Sequence, residues 1–158
     1  MTQWTVFGAI AAATVAWALA EWRRSRALWS VGAVLATIHS AAAFQVFHAW
    51  SHDAAALATA RQTLAVTGID WGGGLYFNYA FLAVWLSDAL WWWIAPRAYE
   101  SRSAAITAVV RGFVFFMFLN GAVIFADGWM RVLGILSIAI VSVAWLKRSF
   151  TPPLPARP

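Results

Sequence analysis

The sequence predicts an all-α integral membrane protein: a five-transmembrane-helix bundle with its N-terminus outside and its C-terminus inside. Of its 158 residues, 63% are hydrophobic and only 11% are charged, whereas soluble domains carry about 25% charged residues. The apolar residues also form five segments of about 17 to 24 residues, and each is long enough to cross a hydrocarbon core of about 30 Å. Because lipid cannot satisfy free backbone polar groups, these segments must be helical.

The segment boundaries are marked by residues that interrupt helices. Pro96 ends the third segment, and Asp127-Gly128 forms the turn between the fourth and the fifth. A single bundle over 1–150 is predicted, followed by a proline-rich tail, 151–158, that is expected to be disordered. The predicted spans cover about 4–20, 27–50, 75–95, 104–126 and 130–146.

Orientation follows from the Lys and Arg residues between the segments. With five spans, the loops 23–26 and 97–102 share one side with the C-terminal tail, and that side holds most of the basic residues. The opposite side has only Arg61 and Arg131. The positive-inside rule therefore places the N-terminus and the loop 51–74 outside. The basic residues of the inner side are Arg23, Arg24, Arg26, Arg97, Arg102, Lys147, Arg148 and Arg157.

The outer loop 51–74 is alanine-rich and predicts a short surface helix. Ser51 suits its N-cap and Gly68 its C-terminal end. Leu57 and Leu64, seven residues apart, would face the membrane.

An alternative interpretation treats the first segment as a signal peptide that is cleaved after Ala18-Leu19-Ala20. It has a small-x-small cleavage pattern but no basic region before it. Cleavage would also reverse every later loop against the charge rule.

Two charged residues are predicted at depth in consecutive antiparallel helices. Asp88 and Arg111 each lie about eight residues, or about 12 Å, from the inner surface. The simpler interpretation is a buried ion pair that fixes helix packing. The alternative is a proton or cation relay that also uses His39, near the middle of the second segment.

A second polar layer is predicted at the outer ends of the helices. Gln45, His48 and His52 are spaced by three and four residues, which places them on one face of a continuous helix. His48 and His52, with Asp53, form a candidate metal site, because imidazole and carboxylate suit Zn, Cu or Fe.

Candidate cofactor-binding residues join this outer rim from other segments: Gln45, Asn78, Tyr79 and Asn120. A transition metal or haem is the cofactor that the rim suggests. The competing interpretation is that these side chains only form hydrogen bonds between helices at the wet edge of the bilayer.

Several enzyme classes lack their residues in this chain. There is no cysteine, and no His-Glu-x-x-His or Gly-x-Ser-x-Gly motif, so the common zinc peptidases and serine hydrolases have no base or nucleophile. The basic residues separate apolar segments and do not form one soluble face, which argues against nucleic-acid binding.

The sequence favours a binding or accessory subunit without catalysis of its own, with an outward-facing His/Asn/Asp pocket. A proton-linked or ion transporter is the alternative, and metal-assisted catalysis at the rim ranks last. The expected partners are the lipid bilayer and other membrane subunits or further copies of the chain. Ten arginines against one lysine, with abundant alanine, suggest the inner membrane of a bacterium.

Overall fold

A computed structural model describes residues 1–150 of the chain, with side chains through Ser149, so the predicted tail 151–158 lies outside the described residues. All regular structure within them is helical, which confirms that the protein is all-α. The helices are α1 (Gln3–Arg23), α2 (Arg26–His48), α3 (His52–Thr67), α4 (Gly74–Ile94), α5 (Pro96–Glu100), α6 (Ala104–Leu119), a π turn (Asn120–Ile124) and α7 (Gly128–Phe150).

Hydroxyl side chains cap the first three helices and α6. Thr2, Ser25, Ser51 and Ser103 each accept a hydrogen bond from the backbone N–H three residues later, which satisfies one of the free donors of a helix N-terminus. Both predicted ends of the surface helix are observed, since Gly68 closes α3 with φ 77°.

The five long helices form a closed ring. Helix α1 packs on α2, α2 on α4, α4 on α6, and α6 with its π turn on α7, which returns to α1. Two ends result. The basic end contains the turns after α1 and α4 and the C-terminal part of α7. The long-loop end contains α3, the π turn and the start of α7.

Four of the helices are long and apolar enough to cross a membrane: Gln3–Arg23, Arg26–His48, the continuous stretch Ala104–Ile124, and Gly128–Ser149. Helix α4 is equally long at 21 residues. It carries Asn78, Asp88 and several Tyr and Trp residues, which lower its mean hydropathy. Hydropathy therefore supports four spans where five were predicted.

An aromatic core fills the ring. Trp17 stacks on Phe118 with ring centroids 4.4 Å apart, and Trp85 meets Phe118 edge-on at 5.6 Å. Trp85 in turn meets Trp29 at 5.3 Å. These rings join α1, α2, α4 and α6, and the signal-peptide alternative would remove Trp17 from the centre of this core.

Helix α2 ends in an unexpected break at the long-loop end. Ala49 and Trp50 both have positive φ, 47° and 63°, so the chain leaves α2 and starts α3 in a new direction. No glycine marks this turn. The continuous helix assumed for Gln45, His48 and His52 is therefore wrong.

Helix α7 packs very closely against the π turn. A Cβ added at Gly134 would overlap the backbone carbonyl of Ala122 in the π turn. Glycine at position 134 thus lets the two backbones approach closely, as small residues do between membrane helices.

We predict that Gly134→Ala lowers the free energy of unfolding by about 1 to 3 kcal/mol, because the backbone must shift to admit the methyl group. Sodium dodecyl sulfate titration of the protein in mild detergent measures this change. Gly112→Ala, in α6, is the control: its added Cβ meets nothing within 4 Å, and it should be neutral or stabilising by up to about 1 kcal/mol. Equal effects of both substitutions would contradict the packing described here.

Candidate functional site

A large cavity of about 980 Å³ opens at the long-loop end. We call it the large cavity. Its walls come from α1, α2, α3, α4, the α6–π turn segment and the start of α7, so every long helix contributes. The walls are mainly apolar, with rings from Phe7, Phe44, Phe81, Phe118 and Trp129. A space of this kind suits a largely apolar molecule with a few polar groups.

Several polar side chains interrupt these apolar walls. His48, Asn78 and Ser40 line the cavity, and no hydrogen bond to their side chains is present among the residues that the structure describes. The imidazole of His48 only packs edge-on against Phe44 and Phe47. These groups are thus available to a ligand.

His39 also lines the cavity, with its ring held in place from α1. Its Nδ1 lies 2.9 Å from the carbonyl oxygen of Val6. Because a carbonyl only accepts, Nδ1 must carry the proton, and Nε2 of the neutral ring is left as an acceptor. A ring oriented by a backbone carbonyl in this way is the usual support of a histidine that binds a metal or haem.

Only part of the predicted outer rim belongs to this cavity. His48, Asn78 and Tyr79 line it, but the other four residues do not. Gln45 and Asp53 are exposed, and the amide of Asn120 donates to the carbonyl of Phe116 in its own helix at 2.8 Å. The fourth, His52, belongs to a separate aromatic cluster.

In that cluster His52 contacts two tyrosines of α4. Its Nδ1 lies 3.1 Å from the hydroxyl of Tyr79, and its Nε2 lies 3.5 Å from that of Tyr76. The rings also pack, with His52 and Tyr79 centroids 6.0 Å apart. Through these contacts His52 packs α3 against α4. It does not share a helix face with His48, because the chain changes direction at Ala49–Trp50.

The predicted metal site of His48, His52 and Asp53 has no supporting geometry. Within the described part of the chain, no three His, Asp or Glu side chains come together in a way that could hold a metal ion. His39 and His48 each line the large cavity, as does Asp127.

At the basic end, Asp88 does not pair with Arg111 as predicted. Its carboxylate instead accepts from Arg102 and from the hydroxyl of Tyr99, the latter at 2.9 Å. The side chains of Asp88 and Arg102 are 2% and 3% exposed. The short helix α5 folds back against α4 and places Arg102, a residue of the loop 97–102, next to Asp88. The depth of each residue within its own span does not predict this reversal.

Tyr99 is itself buried beneath this pair. It stacks on Trp92 with centroids 4.6 Å apart, and the Arg102 guanidinium lies 3.8 Å from its ring centroid. Burial, and then the nearby Asp88 carboxylate, raise the pKa of Tyr99 to about 12. Its hydroxyl therefore remains a hydrogen-bond donor to Asp88 at neutral pH.

Arg111 pairs with Glu21, which lies one residue beyond the predicted first span, 4–20. Glu21 is completely buried. Its Oε1 lies 2.5 Å from Nη1 of Arg111, and its Oε2 accepts from Nε1 of Trp145 at 3.0 Å and from Nη1 of Arg148 at 3.3 Å. Its position two residues before Arg23-Arg24 gave no signal that it turns inward.

The predicted relay of His39, Asp88 and Arg111 is therefore not formed as one set. His39 is on the wall of the large cavity, Asp88 belongs to the cluster with Tyr99 and Arg102, and Arg111 belongs to the cluster of Glu21. Each charge already has a local partner, which is the arrangement of structural ion pairs.

A comparison with known protein families, curated proteins and solved structures finds no significant match to this chain.

We predict that Asp88→Asn and Arg102→Gln each lower the free energy of unfolding by about 3 to 5 kcal/mol, because each leaves a buried charge without its partner. The free energy of unfolding of the double variant should be about 1 to 3 kcal/mol higher than the sum of the two single losses would give. Denaturation in sodium dodecyl sulfate measures all three. Arg111→Gln is the matched test of the original pairing, and rescue of Asp88→Asn by Arg111→Gln would refute the pairing seen here.

Proposed function

We propose that this chain is a multi-pass membrane protein of five spans that binds a largely apolar small molecule in the large cavity and has no catalysis of its own. The observation that carries the proposal is the cavity itself, about 980 Å³ in volume and walled by every long helix. Its location in the inner membrane of a bacterium, and association with other membrane subunits or with further copies, are part of the same proposal.

The fifth span of the proposal is α4. It packs between α2 and α6 as a full member of the ring, and its core-facing residues Phe81, Trp85 and Ala89 are buried. Its aromatic residues suit the membrane interface, where Trp and Tyr are enriched. The bundle also bears many exposed Val, Ile and Leu residues, such as Val109 and Leu136, which lipid would cover.

Exposed tryptophans support two membrane boundaries. Trp4 and Trp129 are exposed at the long-loop end, and Trp22 and Trp93 at the basic end. Amphipathic indole rings at both ends of a bundle correspond to the aromatic belts of membrane proteins. With the basic end inside, the cavity opens toward the outer surface.

The cavity wall indicates the class of ligand. Phenylalanine, alanine and methionine supply about half of the lining residues, and His48, Asn78 and Ser40 add hydrogen-bonding groups to the wall. An amphipathic molecule with a ring system or isoprenoid body and one or two oxygen atoms would match both features. Haem shares the apolar ring system but carries two carboxylates, and the oriented ring of His39 or the free ring of His48 can bind its iron.

Single cysteines test the five spans and their orientation, since the chain has none of its own. Thr67→Cys and Ser101→Cys are exposed sites at opposite ends. We expect a membrane-impermeant maleimide to label Thr67→Cys in intact cells and Ser101→Cys only after permeabilisation. Labelling of both positions from one side would exclude α4 as a span, and a reversed result would exclude the orientation.

A substitution that fills the large cavity tests the binding function. Gly121 lines the large cavity, and a Cβ there meets nothing within 4 Å. Gly121→Phe should therefore occupy the space without a local clash and lower the amount of co-purified ligand by about tenfold, equivalent to about 1.4 kcal/mol. Organic extraction with mass spectrometry measures this amount, and visible absorbance detects haem.

Two matched controls accompany this measurement. Gly112→Phe makes the same change in the same helix, in equally open space but away from the cavity, and should retain the ligand. His48→Ala should weaken binding while His52→Ala should not, because only His48 lines the cavity. If the unmodified protein neither co-purifies with an apolar ligand nor binds one that is added, the proposal is refuted.

A further inference from the structure

A second, smaller pocket of about 440 Å³ lies at the basic end. We call it the basic pocket. It is lined by three arginines from three elements: Arg24 at the end of α1, Arg111 in α6 and Arg148 in α7. Trp145 and Thr107 complete much of its wall, and Ala104 and Ala108 keep it open through their small side chains.

The charges around this pocket do not balance. Glu21 pairs with both Arg111 and Arg148, so one negative charge faces three positive ones. The carboxylate of Glu21 is sealed from solvent, whereas the side chains of Arg111 and Arg148 remain 16% and 29% exposed. Their remaining guanidinium N–H groups are thus open to a second acceptor, since each guanidinium carries five donors.

Of the three arginines that line the basic pocket, Arg24 is the one that forms no ion pair with a described residue. Among the residues that the structure describes, no hydrogen bond or ion pair engages its side chain, yet it lies within electrostatic range of Arg148. Its backbone is left-handed, with φ 54°, at a helix end where glycine is common. Two arginines brought together without a shared acid indicate a place for an anion.

We propose that the basic pocket binds a phosphate group, which either an anionic phospholipid headgroup or a soluble phosphate ester can supply. Arginine forks match the tetrahedral phosphate oxygens and remain charged at every relevant pH. Trp145 lies beside them, where an indole can pack on the glycerol or acyl start of a lipid. Basic pockets between membrane helices on the cytoplasmic side are a recognised setting for such headgroups. The lipid source rests on the membrane location proposed above.

Lipid retention by the full chain tests the site. The protein, solubilised in dodecyl maltoside, is incubated with equal amounts of phosphatidylglycerol and phosphatidylcholine, purified again, and its lipids are counted by mass spectrometry. We expect phosphatidylglycerol to be retained in preference. Arg24→Gln should reduce its retention about fivefold, because Arg24 supplies charge to the pocket and no described structural contact.

Arg23→Gln is the matched control. It removes the same charge one residue earlier, from an exposed position that does not line the pocket, and should change retention by less than about twofold. Equal loss in both variants would show only general attraction to the basic end and would overturn the site. Thermal midpoints of both variants without lipid confirm that they remain folded.

A second experiment distinguishes the two sources of phosphate. Inorganic phosphate and glycerol 3-phosphate are titrated into lipid-free protein, and the thermal midpoint is followed with and without Arg24→Gln. An Arg24-dependent rise, without preferential lipid retention, would assign the site to a soluble phosphate ester. No rise and no preference for phosphatidylglycerol would refute the proposal, and would leave the large cavity and its ligand untouched.

Discussion

The buried carboxylate of Glu21 holds the basic end of the bundle together. It joins α1 to Arg111 of α6 and to Trp145 and Arg148 of α7, and so closes the ring between the first and last helices. Arg111 extends the contact to α2, because its guanidinium lies 5.1 Å from the ring centroid of Trp29. A charge with no water around it is tolerated only when every lone pair has a partner. The positions of four helices are therefore coupled through the pair of Glu21 and Arg111.

The two ends of the molecule differ in how their buried polar groups are paired. At the basic end, Glu21 and Asp88 are each enclosed by arginines and aromatic rings, so this end is tightly specified by directional bonds. At the long-loop end, apolar side chains surround an open space, and polar groups such as His48 and Asn78 are left unengaged. A bundle that is fixed at one end and open at the other can admit a ligand without disturbing its main packing.

The five long helices could be predicted because hydropathy and charge can be read along the chain. When the π turn is counted with α6, their predicted and observed ends differ by at most four residues. Which charged side chains pair depends on how each helix is rotated about its axis and on how the connecting segments fold. The spacing of residues along the sequence gives neither. Depth alone paired Asp88 with Arg111, but the reversal at α5 delivers Arg102 instead. The turn at Ala49–Trp50 carried no glycine or proline signal, and so His52 was assigned to the wrong face. The apolar cavity wall has no motif at all, because it arises from the distance between helices.

The π turn at Asn120–Ile124 has a consequence for how this fold can vary. A π turn holds one residue more than the α-helical turn it replaces, so the extra residue is absorbed within a single wider turn. In a regular α-helix, one residue more or less would rotate everything beyond it by about 100°. Removing one residue at the π turn would therefore leave a regular helix in which Arg111 still faces Glu21 and the following residues keep their faces. The same deletion between Arg111 and the π turn would rotate Arg111 away from Glu21 relative to Gly121 and Ala122 on the cavity wall. The π turn is thus the place in this stretch where the chain can change its length by one residue.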